Sequence, residues 1–405
     1  MSRTSHRESL LIKARLQEKG QIEGDEKKNA GKTEAEIKTR RRAEAAATID
    51  ELLTLFDDDE EGWFARAKLS DGNAVVAYYK GLLRINPDHS GAHHELIHKY
   101  EGLQRPALGW PHAEGYLRTS PGLPHAWHMQ AHLATRIGRF DKTTDRSTRA
   151  IELEEAYHKV QGVSPKEDHQ FSHHLDTLMQ GLIHDGRFKE ADALKKKCQS
   201  YKIEHLDSWF RLHVAEHDWD AALKVAEKNK TKRLLVSYLR AVVYLLKGDY
   251  DRAAPEVNVL QEAYQSKRGD KDLEKQLWET QGLLLCGRDG ADGGLKLLAR
   301  AADKSKTDDR QHAWGHGAYY METWGLAALR AGRLAVAEEA FLEALAHDSA
   351  SVRGALGMQV VCERQGRSEE ALRFADLARR SWRRADPGAL EAEREFLREK
   401  PETAH

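Results

Sequence analysis

With 405 residues the chain can bury a large core, and length alone allows two or three domains. Lys and Arg number 64 against 65 Asp and Glu, so no net field draws it to nucleic acid or an acidic membrane. The three cysteines, Cys198, Cys286 and Cys362, form no CxxC pair, which excludes a disulfide framework and a thiolate zinc site and suits a reducing compartment.

The first residues, MSRTSHRESLLIKARLQEKG, have no apolar core of signal-peptide length, and no apolar run is long enough to span a membrane, so a cytoplasmic protein is expected. Only 9 prolines beside abundant Ala, Leu, Glu, Lys and Arg argue for an all-α chain. Residues 1–55 are mostly charged with few large apolar side chains, and the sequence predicts a loosely packed arm. The basic run from Lys38 to Arg42 reads as a solvated helix face rather than a nucleic-acid contact.

From about residue 73 a period appears: NAVVAYYKGLLRINPD reads as a helix ending in Asn-Pro, and Pro87 and Pro121 stand 34 residues apart. Gly138, Gly186, Gly248, Gly332 and Gly366 each follow an apolar helical run, and each is predicted to end the first helix of a pair in a left-handed cap. The period is broken by an insertion at 155–170 and distorted at CGRDGADGG, Cys286 to Gly294. The expected organisation is an arm over 1–55, a helical repeat array over 56–385 with no internal boundary, and a charged cap or tail over 386–405.

Over residues 73–385 the chain resembles tetratricopeptide-repeat proteins, with Ala313 to Asp348 the best single copy and Gly325, Ala337 and Ala344 at its small positions. The resemblance implies a right-handed α-α superhelix, a solenoid with a concave groove that clasps a peptide, a protein or a small-molecule ligand. It also implies which positions of each first helix face that groove. With Trp127 at the Trp-like position, His125, His128 and His132 face it; one repeat earlier, His94, His98 and Glu101 do. Anchoring on Gly186 adds His173, Asp176, Gln180 and His184, and anchoring on Gly248 adds Leu235, Tyr238, Val242, Leu245 and Leu246.

His94 and His98 form one His-x-x-x-His pair and His128 and His132 another, with equivalent residues 34 apart. Two imidazoles at i and i+4 on one helical face are well spaced for one ion, and nitrogen and oxygen donors suit a divalent transition metal such as zinc, iron or copper. The four histidines are therefore predicted to converge, with Glu101, His173 and Asp176 completing or orienting the ligand shell; His93 and His174 point about 100° away and are expected to stay out. The pattern also resembles a bacterial tetratricopeptide subfamily with a histidine-rich groove, in which H-x-x-I-H-x-x-E precedes H-M-x-x-H. Here those residues are His94, Ile97, His98 and Glu101, then His128, Met129 and His132. Asp176 stands where that subfamily has its last histidine.

His94-Glu95-Leu96-Ile97-His98 also matches the zinc-peptidase pattern HExxH, but the continuation KYEGLQRP supplies no third ligand of that class. GxxxxGK[ST], GxGxxG and GxSxG are all absent. Three functions stay open: a metal-binding repeat protein, catalytic or not; a non-catalytic peptide-binding scaffold; and a zinc peptidase.

Overall fold

A computed structural model describes residues 4–103, 105–229, 232–288, 290–306 and 318–399. Among them are 22 α-helices and no strand, the all-α architecture expected from composition. Their contacts divide the chain into two compact units, Met1–Gly122 and Leu123–His405.

The first unit comprises α1 (His6–Lys19), α2 (Asp25–Asn29), α3 (Glu34–Leu55), α4 (Glu60–Lys68), α5 (Ala74–Ile85), α6 (Ser90–Gly102) and α7 (Pro106–Thr119). The segment expected to be loosely packed differs from expectation. Ser5 with Glu8 and Thr33 with Glu36 form capping boxes that start α1 and α3. Leu10 and Ala14 then bury against Ala45, Ile49 and Leu52. Asp25, 2% exposed, accepts from Arg40 and Arg41, which pull its carboxyl below the usual range. Few apolar residues suffice because they lie on facing stripes, a pairing that average composition cannot show. A second small core joins Tyr79 and Leu82 of α5 to Ala92, Leu96 and Tyr100 of α6.

The second unit is built from helix pairs: α8 (Pro124–Arg136) with α9 (Phe140–Gln161), α10 (His169–His184) with α11 (Phe188–Ser200), and α12 (Leu206–Ala215) with α13 (Trp219–Glu227). There follow α14 (Arg233–Lys247) with α15 (Tyr250–Ser266), and α16 (Lys271–Gly287) with α17 (Ala291–Lys306). The last pairs are α18 (Tyr319–Arg330) with α19 (Leu334–His347) and α20 (Val352–Arg364) with α21 (Ser368–Ser381), before a final α22 (Ala389–Arg398). Ala313 to Gly317 of the best sequence copy lie outside the described residues; in the rest of it, Gly325 lets the Phe341 ring approach so closely that an added Cβ would meet it at 2.5 Å.

All five predicted glycine joints have positive φ, from 68° at Gly138 to 80° at Gly248. At each, the next residue's amide reaches back to a carbonyl of the helix just ended, as Arg139 N donates to Ala134 O (2.8 Å) and Asp249 N to Tyr244 O (2.8 Å). The α12–α13 joint uses His217 at φ 58° instead, with Asp218 N donating to His213 O (2.9 Å). No glycine marks that turn, so the sequence pattern misses it. The insertion at 155–170 becomes extra turns of α9 and a loop tied by His158 Nε2 donating to Asp168 Oδ2 (2.8 Å).

Within this unit the last helices return to the first. Trp382 Nε1 donates to His184 O (2.7 Å), Asp386 N to Gly186 O (2.9 Å), and Lys189 N to Asp386 Oδ2 (2.8 Å). Arg384 reaches Asp145 (2.9 Å) and Asp185 (3.5 Å), and Arg383 reaches Asp141 (2.7 Å). The charged C-terminal segment serves as a cap: α22 buries Phe396 and Leu397, while Glu393 pairs with Arg353 of α20 and accepts from His217 (3.2 Å).

A Cβ on Gly186 would meet Trp382 at 2.8 Å, whereas one on Gly366, at φ 75°, would meet nothing within 4 Å. Gly366→Ala should therefore cost roughly 1 kcal/mol for its left-handed backbone alone, and Gly186→Ala a further ~1–3 kcal/mol for forcing Trp382 aside. Chemical denaturation of both variants checks this; equal losses would mean that the Gly186–Trp382 contact does not constrain the fold.

Candidate metal centre

His94, His98 and Glu101 belong to the first unit; His128, His132, His173 and Asp176 belong to the second. Each set is described within its own unit.

In the first unit, α6 presents His94 and His98 one turn apart, with their Nε2 atoms 3.2 Å from each other. His94 packs against the Tyr116 ring at 5.4 Å, and burial, then the neighbouring His98, lowers its pKa. Glu101 is buried, with an oxygen 3.7 Å from His98 Nδ1. His93 points elsewhere, as expected: Nε2 donates to Pro87 O (2.9 Å) and Nδ1 meets His112 Nδ1 (3.2 Å). It fills the space that Gly115 leaves, where a Cβ would come within 2.4 Å of the imidazole. Glu95, the would-be base of the HExxH pattern, is ion-paired to Lys68 at 2.5 Å.

In the second unit, α8 and α10 bring three imidazoles together. His128, His132 and His173 each offer a nitrogen, all within 4.8 Å of one another. His128 and His132 are 1% and 8% exposed, with ring centroids 4.1 Å apart. His132 Nε2 lies 3.3 Å from His173 Nε2. Two nitrogens on one tetrahedral ion with bonds of about 2.0–2.1 Å stand about 3.3–3.4 Å apart, so the spacing fits a shared ion. Burial, then the nearby imidazoles of His132, His174, His173 and His125, pushes His128 well below its ordinary pKa. A neutral ring keeps a lone pair for a metal. Among the described residues His128 Nδ1 has no hydrogen-bond partner.

Two details add to the sequence reading. His174, expected to stay out, packs on His128 with centroids 4.0 Å apart, and its Nδ1 donates to the buried Glu154 of α9 (2.6 Å). Glu154 is thus a carboxylate at this site that the groove positions could not reveal, because it sits on the second helix of its pair. Asp176 lies outside the three-imidazole set: its oxygens accept from Ser208 Oγ (2.6 Å) and Gln180 Nε2 (3.0 Å), with His205 Nδ1 at 3.6 Å. It organises a polar pocket of about 590 Å³ that His173 also lines.

Groove positions further along the array enclose a second space of about 310 Å³, lined by Leu235, Tyr238 and Val242 of α14 together with residues of α10, α12, α18 and α20. Leu245 and Leu246 are buried. Behind the wall, Tyr238 OH donates to Glu279 (2.7 Å), a fully buried carboxyl that burial pushes up to about 7.

No family model matches the chain, and no curated protein matches it. Among solved structures it is similar to yeast Tom70, at 14% identity and a TM-score of 0.36, with 97% of this chain and 95% of that one covered. It is also similar to the Naa15/Naa10 structure bound to HypK-THB, at 14% identity and a TM-score of 0.34, covering 97% of this chain and 66% of that one. The class rests on the chain's own joints: it is an all-α protein of helix–turn–helix repeats. No helix among the described residues is long and apolar enough to cross a membrane.

Glu279 supplies a pH test. Its folded pKa is raised from 4.5 to about 7, so its contribution to stability is complete below pH 4.5 and is lost as pH climbs through 7. Glu279→Gln keeps an acceptor for Tyr238 and does not titrate. The melting temperature of the variant relative to wild type should rise between pH 5 and pH 8; a difference that stays constant would contradict a buried neutral carboxyl.

Proposed function

We propose that this protein is a helical-repeat metalloprotein whose second unit binds a divalent transition metal through His128, His132 and His173. The observation that carries the reading is the mutual approach of three imidazole nitrogens within 4.8 Å of one another, with the His132–His173 pair, at 3.3 Å, at the edge length of a tetrahedral site. Zinc, iron and copper all accept such a donor set. Three protein ligands leave a fourth position, and a metal held that way supplies Lewis acidity or an activated water.

The chain's own residues do the rest. Helices α8 and α10 fix the imidazoles, and packing of His174, held by Glu154, keeps the His128 ring in place. Asp176, Ser208 and Gln180 shape the polar pocket on the open side of His173. His94, His98 and Glu101 supply a further pair of imidazoles with an adjacent carboxylate in the first unit, and we include them among the metal-binding candidates. A peptide-clasping scaffold is the competing reading, and it gives no reason for three buried or half-buried imidazoles to face one another rather than a groove.

Metal analysis and titration of tag-free protein test this. Wild type should take up a transition metal, and His128→Ala or His132→Ala should weaken binding by more than about 100-fold, since even removal of supporting groups around metal ligands costs 10–100-fold. Helix content should not change. Absence of metal after reconstitution, or full affinity in both variants, would remove the metal centre and leave the scaffold.

A further inference from the structure

Helix α10 carries more than a ligand. His173, Asp176 and Gln180 share one stripe of it, and the same stripe continues through Ile183 and His184. The first three line the polar pocket of about 590 Å³; the last two line the cavity of about 310 Å³. Asp207 of α12 lines both, and Phe210 and Val214 carry that helix onward into the cavity.

The two spaces differ in chemistry. In the polar pocket, Gln180 is 8% exposed and its Oε1 has no partner among the described residues; the same holds for Asn229 Nδ2, and for Nε2 of His205. A buried polar atom left unpaired is costly, and a ligand able both to donate and to accept would recover that cost. In the cavity, Phe210, Val214, Leu235, Leu239 and Val242 present apolar surface. Its charges are largely quenched. Arg353 is paired with Glu393, Ser351 donates to Glu322 (2.6 Å), and burial pushes Asp348 up to about 7. Arg211 lies over the Tyr319 ring at 4.9 Å. The volume is at the lower end for small-molecule pockets, which are mostly apolar with a few placed polar groups.

We propose that pocket and cavity form one elongated site for an amphipathic small molecule. Its hydrogen-bonding head lies beside His173, and its aliphatic or aromatic tail runs along α10 and α12 into the cavity. The position of the head next to a metal rests on the function proposed above; the tail does not.

Straight-chain hydroxamates, from acetohydroxamate to octanohydroxamate, are the probe, titrated calorimetrically into metal-loaded, tag-free full-length protein. The hydroxamate head both chelates and hydrogen-bonds. Kd should fall about three- to fourfold for each added methylene until the cavity is full, as expected for burying CH₂ groups. Leu235→Trp, on a half-buried cavity position, should flatten that series for the longer chains while leaving acetohydroxamate binding and the circular dichroism spectrum unchanged.

A parallel series of primary alkanamides on metal-stripped protein separates the two ideas. A chain-length gradient there, in a protein that takes up no metal on reconstitution, would sink the metal centre and keep this site. Metal uptake on reconstitution with a flat gradient in both series, or no binding of either series, would overturn the elongated site.

Discussion

The second unit depends on a contact between residues almost two hundred positions apart. Trp382 Nε1 donates to the carbonyl of His184, at the end of α10, and Asp386 N caps the carbonyl of Gly186 just beyond it. Those carbonyls are left over where α10 stops, and an α-helix always leaves its last carbonyls without partners of its own. The tryptophan and the following loop fill that gap, with Phe188 edge-on to the Trp382 ring at 5.7 Å. Through this closure, first helices from early and late repeats come to line one cavity, and α10 is held where His173 meets His132.

The joints between helices were legible because they are local. A left-handed residue after an apolar run costs least with glycine, so five of them could be read directly. His217 shows the limit of that signal. It accepts the left-handed conformation, packs against both Trp219 (5.6 Å) and Phe396 (4.3 Å), and donates to Glu393. Tertiary contacts stabilise a backbone state that its residue type does not favour, so α12–α13 had no local marker. The same reason explains residues 1–55: Ile49 and Leu52 of α3 are unremarkable in composition and decisive once Leu10 and Ala14 face them.

The imidazole site was legible to the extent that helix register reaches. Positions 128 and 132 are one turn apart on α8, and repeat spacing placed 173 on the next first helix. Register does not reach the second helix of a pair, so Glu154 was missed, and it does not give ring packing, so His174 was set aside although its imidazole rests on His128. Asp176 accepts hydrogen bonds from Ser208 and Gln180, partners on two helices that register alone does not supply. Sequence patterns place side chains on a face; partners from other helices decide what each one does there.

The central claim is that His128, His132 and His173 share one ion. X-ray absorption spectroscopy on tag-free protein loaded with zinc measures this most directly. About three imidazole nitrogens at roughly 2.0–2.1 Å are expected around the ion, with the outer-shell scattering that rigid imidazole rings produce. A shell of oxygens without imidazole scattering, or one unchanged by His132→Ala, would contradict it.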